Sequence, residues 1–272
     1  MAPVVSPALD SAVDETGQLI SVVLTFALAA VAAVYVARVV RQERAPWPLV
    51  LLAAGTLTCL LEPLFDHLYG LWFPTQGQWT LFTAYGVSEP VWLVPAYFAI
   101  YGGGAVVVMR SLRATPTRAQ IWKLYWAFVG VAMVAEIGYV QLMGVYEYQD
   151  DQPWKVLGYP LFLGFVNSMS ALIAGILAWR LVPLLRTPGQ QLGLVVLTPL
   201  AFATEAFGSG VLYLALRHGS EDPNMVLLHV AALTVPLGTA ATVKLLTLLI
   251  PEEAPGEVPP VVVVRERTPA GV

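Results

Sequence analysis

The chain has 272 residues, 57% of them hydrophobic and only 12% charged, with a net charge of −4. Soluble proteins carry about 25% charged residues, so the composition excludes an ordinary soluble domain and a disordered chain, and the acidic balance excludes a nucleic-acid binder. A single cysteine, Cys59, excludes an intramolecular disulfide framework and any cysteine-based metal cluster.

What remains is a membrane protein. A hydrocarbon core of about 30 Å needs about 20 apolar residues per helix. Seven segments meet that length, at about 19–40, 48–67, 91–109, 122–143, 158–182, 192–216 and 226–250. The predicted fold class is an all-α, polytopic bundle of seven transmembrane helices. Residues 1–18 read as an extracytoplasmic segment; they hold Asp10, Asp14 and Glu15 but no base, so no secretory signal is read. Residues 19–250 form the membrane domain, and 251–272, rich in Pro and Glu, read as a disordered cytoplasmic tail. Pro63 and two acids interrupt the end of the second segment. Long uniform apolar runs argue against an outer-membrane barrel, which alternates over about ten residues. No internal repeat stands out.

Basic residues set the orientation. Alternate connections hold Arg38, Arg41 and Arg44; then Arg110, Arg113, Arg118 and Lys123; then Arg180 and Arg186; then Lys244, Arg265 and Arg267. Only Lys155 and Arg217 fall on the opposite side. The N-terminus is therefore expected outside and the C-terminus inside, with the protein in the cell membrane.

An acid inside the bilayer costs a few kcal/mol and needs a reason. Glu62, Asp66, Glu89, Glu136, Asn167, Glu205 and His229 come from six segments, and counting residues places them all between the midplane and the outer face. A polar cavity in the outer half is expected. Each residue also has a plainer reading. Glu62 and Asp66 share a helical face only if Pro63 opens a new turn; otherwise they mark a broken helix end. Glu136 would then be a structural hydrogen bond, Glu205 a packing contact among small residues, and His229 an interfacial group. The tryptophans read as an interfacial belt. The tyrosines on the outer side, Tyr97, Tyr101, Tyr139, Tyr146, Tyr148 and Tyr159 among them, are candidate donors. Neither a glycine-rich phosphate loop nor a metal-ligand spacing is present, so no cofactor and no metal are expected.

Two stretches carry a resemblance. The first is Glu62-Pro63-Leu64-Phe65-Asp66 with Leu71-Trp72-Phe73-Pro74 and Gly77-Gln78-Trp79. The second is Glu136, Tyr146-Glu147-Tyr148, Gln152-Pro153, Gly158-Tyr159-Pro160-Leu161-Phe162 and Gly164-Phe165-Val166-Asn167. Together they resemble the AveC-type spirocyclase family of bacterial polyketide tailoring proteins, over about residues 45–250. The resemblance implies an integral membrane protein that closes a dihydroxy ketone into a spiroketal, in some members with dehydration. On this reading Glu62 and Glu136 are the proton-transfer pair and Asp66 assists. Glu89, Tyr159, Asn167, Glu205 and His229 bind the substrate. The expected partners are a hydrophobic, polyketide or lipid-like small molecule and the membrane lipids. Two other functions compete: a carotenoid or lipid hydratase or cyclase, and a proton-coupled transporter using Glu136 and Glu205. A retinal protein is disfavoured, because Lys244 lies near the cytosolic end of the last segment.

Overall fold

Among the described residues, seven helices are long and apolar enough to cross a membrane: α1 Glu15–Glu43, α2 Trp47–Tyr69, α3 Leu93–Ala114, α4 Arg118–Met143, α5 Leu163–Leu184, α6 Pro188–Ser209 and α7 Met225–Thr247. They match the seven predicted segments in order. The computed structural model describes residues 9–149, 151–220 and 223–250, so the predicted tail at 251–272 lies outside the described residues.

Local sequence explains where the helices start and break. Asp14 caps α1 by accepting the amide of Gly17 at 2.6 Å. The second helix tightens into a 3₁₀ turn over Cys59–Leu61 and resumes at Glu62. Pro63 sits in the first turn of the new piece, where its missing N–H removes no intrahelical bond. It therefore opens a turn, as Glu62 and Asp66 need to share a face. Gly70 ends the piece at φ 69°, a left-handed conformation that favours glycine. Three helices carry a π segment, over Phe98–Gly103, Gly138–Met143 and Thr204–Ser209.

The connections depart from the all-α expectation. Among the described residues, eight short strands pair two by two at one end of the bundle. Strand β1 (Leu9–Ala12) runs parallel to β3 (Pro74–Gln76), and β2 (Leu71–Trp72) runs antiparallel to β6 (Glu147–Tyr148). Strands β4 (Thr80–Ala84) and β5 (Val87–Pro90) form a hairpin, and β7 (Lys155–Val156) pairs with β8 (Tyr159–Pro160). Most of these strands are too short for an alternating pattern, and half of the pairings join distant connections. Gln152 locks the layer together by donating Nε2 to the Tyr69 carbonyl at 2.7 Å, and the Gln149 amide donates to the Gly70 carbonyl at 2.8 Å.

Helices α2, α3 and α5 lie at the centre, while α1 and α4 show most of their apolar surface to the outside. Residues such as Val23, Phe26, Val131 and Leu142 are exposed, a surface suited to lipid. Small residues allow the central helices to meet closely. A Cβ on Gly55 would lie 2.2 Å from the Gly102 amide nitrogen, and one on Gly175 would lie 2.5 Å from the Val108 Cβ. At the end opposite the strands, Glu43 receives both Arg110 and Arg113, and Arg113 lies over the Trp47 ring at 5.2 Å.

Candidate active site

The strand-rich end of the bundle encloses a cavity of about 90 Å³. Its polar lining comes from four helices and one connection. The re-opened end of α2 supplies Glu62, the start of α3 supplies Tyr97 and Tyr101, α4 supplies Glu136 and Tyr139, and α5 supplies Asn167. The connection between α4 and α5 adds Tyr146 and Tyr148. Two of the three π segments border this cavity, and such bulges re-aim side chains at functional sites.

The two glutamates have different surroundings. Glu136 accepts three hydrogen bonds: Tyr146 and Tyr148 donate to Oε2 at 2.6 and 3.1 Å, and Asn167 Nδ2 donates to Oε1 at 3.2 Å. Glu62 accepts one, from the Tyr97 hydroxyl. Both carboxyls are half-buried rather than sealed, as cavity-lining groups must be. They are close enough to interact through their charges. Burial, and then the neighbouring Glu136 charge, push Tyr146 and Tyr148 well above the usual phenol range, so both remain neutral donors.

The rest of the wall is aromatic. Trp92 stacks on Tyr139 with centroids 4.9 Å apart, Phe73 meets Tyr146 at 5.5 Å, and Tyr97 meets Tyr101 at 4.6 Å. Such faces accept apolar matter and attract positive charge. Two further spaces adjoin the cavity. A polar cleft of about 260 Å³ on the strand-rich side shares Tyr146 and Tyr148 with it. An apolar groove of about 610 Å³ runs between α1 and α3, lined by Phe26, Ala29, Ala33, Val94, Pro95 and Phe98. Leu93 and Tyr97, from the same turns of α3, line the cavity, so those turns form the partition between cavity and groove.

The cavity gathers Glu62, Glu136 and Asn167 from the predicted residues, and leaves the other five outside its lining. Asp66 and Glu89 are both 0% exposed. Glu89, expected to open the third span, instead lies in strand β5, four residues before the helix begins. The Tyr159 hydroxyl is buried beside Asn167, its ring 5.6 Å from Tyr148. Glu205 accepts from Ser209 at 2.6 Å and faces a separate polar patch that includes Thr242. Helical counting on α6 assumes a regular 3.6-residue turn, and the π segment containing Glu205 breaks that register. His229 is half-exposed on α7 beside Trp154, at 5.6 Å between rings. Trp92 and Phe73 were not singled out: Trp92 was read with the interfacial belt, and Phe73 only within the resemblance. Their one signal was proximity in sequence to Glu89 and Asp66.

Among the described residues, no group of three or more His, Cys, Asp or Glu side chains is placed to hold a metal ion. Compared with family models, curated proteins and solved structures, the chain matches none.

Proposed function

We propose that the protein is a membrane-embedded, cofactor-independent spirocyclase that closes a dihydroxy ketone of polyketide type into a spiroketal by acid–base catalysis. The supporting observation is that Glu62 and Glu136, on two different helices, face one cavity with aromatic walls. The sequence resemblance supplies the substrate class.

A proton inventory of the reaction suits two carboxyls. Glu136, built as an acceptor, takes the proton of the first attacking hydroxyl, while Glu62 gives its proton to the ketone oxygen, and a hemiketal forms. Glu136 then protonates the departing hydroxyl, water leaves, and an oxocarbenium ion remains. The Trp92 and Tyr139 faces and the Glu62 carboxylate stabilise that cation, much as a carboxylate does in glycoside hydrolysis. The second hydroxyl attacks, and its proton goes to Glu62. Both glutamates return to their starting states. The cavity fixes the ring stereochemistry by holding one conformer.

The groove between α1 and α3 offers an apolar substrate a docking place beside the bilayer, with the α3 partition between it and the cavity, and the polar cleft that shares Tyr146 and Tyr148 with the cavity offers water a place on the other side. The basic residues collect at the end away from the strands, which supports an extracytoplasmic site with the N-terminus outside, in a bacterial inner membrane. The apolar groove also favours a second reading, a hydratase or cyclase acting on a carotenoid or other lipid. Proton-coupled transport by Glu136 and Glu205 has less support, because Glu205 is not on the cavity.

The test is to incubate the protein in lipid nanodiscs with synthetic dihydroxy ketones. A single spiroketal diastereomer formed faster than in empty nanodiscs is expected. A background rate and product ratio would remove the cyclase reading, and conversion of a polyene or carotenoid instead would install the alternative.

A further inference from the structure

Asp66 and Glu89 form a second pair of acids that the proposed catalysis does not use. Asp66 lies one helical turn beyond Glu62 on α2, and Glu89 lies on β5, which packs against that part of α2. Both are 0% exposed, and none of their four carboxyl oxygens has a donor within hydrogen-bond geometry. Each carboxyl lies close enough to the other to bond with it once one of them carries a proton. Two ionised carboxylates offer only acceptors. Facing each other away from water, they would repel and leave four lone-pair sites unmet. A single proton between them turns one carboxyl into a donor.

We infer that Asp66 and Glu89 share one proton and thereby clasp β5 to α2, a closed latch that holds Glu62 and Tyr97 in register. The geometry gives the latch its leverage. Its two halves lie four residues after Glu62 and eight residues before Tyr97, the pair whose hydrogen bond borders the cavity. Asp66 and Glu89 are thus positioning residues: neither lines the cavity.

The groups acting on the pair are acidic. Glu62 acts on both carboxyls, Glu136 on α4 acts on Asp66, and Cys59 on α2 feels Glu89. The hairpin partner β4, Thr80–Ala84, brings no ionisable side chain. Burial first, then the Glu62 charge, push Glu89 up to about 9, against the opposing contact with Asp66. The direction of the pH dependence follows. The folded pair keeps a proton that both carboxyls of the unfolded chain have already lost. The latch's contribution is therefore full below the ordinary value of 4.5, declines as pH rises, and is gone above about 9.

The test is the melting temperature of the full chain in nanodiscs between those two pH values, for the wild type, Glu89→Gln and Glu89→Leu. The wild type should melt progressively lower as pH rises. Glu89→Gln, whose amide donates to Asp66 without titrating, should stay folded and flatten that slope. Glu89→Leu, which cannot donate, should melt lower throughout. A Glu89→Gln slope equal to the wild type overturns the latch. Should Glu89→Gln not fold, infrared spectroscopy of the wild type at pH 7 decides. A protonated-carboxyl band that Asp66→Asn removes, and that resists exchange in heavy water, supports the latch; absence of such a band overturns it. No substrate enters these measurements, so the latch and the spiroketal reading stand or fall separately.

Discussion

The Tyr146 hydroxyl donates to Glu136 Oε2 at 2.6 Å, tying the connection between α4 and α5 back onto the helix that precedes it. The tie holds Glu136 as an acceptor, with Tyr148 and Asn167 completing the set. Removing a donor from a buried acceptor costs about 1–3 kcal/mol. Tyr146→Phe should therefore lower the melting temperature and, because Glu136 is then held less firmly as an acceptor, also lower the cyclisation rate about ten- to a hundredfold. Tyr148→Phe, which removes the longer bond, should cost less. Single-turnover rates of the two variants check the order.

Volume in the cavity should control substrate affinity. Ala132 lines the cavity on the α4 side. Ala132→Phe fills space that the substrate needs, so it should raise KM tenfold or more while leaving the fold intact. Titration of the rate against substrate concentration measures it.

Close helix packing predicts a contrast between two glycines. A side chain at Gly55 would run into the backbone of Gly102, whereas Gly130 has nothing within 4 Å of an added Cβ. Gly55→Val should destabilise the bundle strongly, beyond the about 1–3 kcal/mol of ordinary overpacking, because backbone cannot yield. Gly130→Ala should be neutral or stabilising by up to about 1 kcal/mol, since alanine favours the helix. Melting curves in detergent compare them.

Orientation can be read chemically. Cys59 is buried and gives no background. Tyr85→Cys lies at the exposed tip of the β4–β5 hairpin, and Arg186→Cys lies exposed at the opposite end. A membrane-impermeant maleimide applied to intact cells should label the first and not the second.

The helices were legible because each needs only a local run of apolar residues. Residue counts along α2 and α4 gave Glu62 and Glu136 similar depths, and the cavity lining includes both. The β ribbons were not. Trp72 meets Glu147 across 75 residues, and strands of two residues carry no alternation. Glu89 was misplaced for the same reason: Val91-Trp92-Leu93 continues its segment into the next helix, and nothing local marks the hairpin. Glu205 was drawn to the shared layer by its depth. Depth fixes height but not azimuth, and the π segment turns the side chain toward Ser209 and Thr242.

The proposed cyclisation needs two glutamates serving one reaction, and their neutral isosteres test that need most directly. Glu62→Gln, Glu136→Gln and the double variant would be compared in dihydroxy-ketone cyclisation, with folding checked by melting. Each single change should slow the reaction about 10²–10⁴-fold. The double variant should be little worse than the poorer single one, because groups acting as a unit are not additive. Wild-type rate and stereochemistry in both single variants would contradict the account.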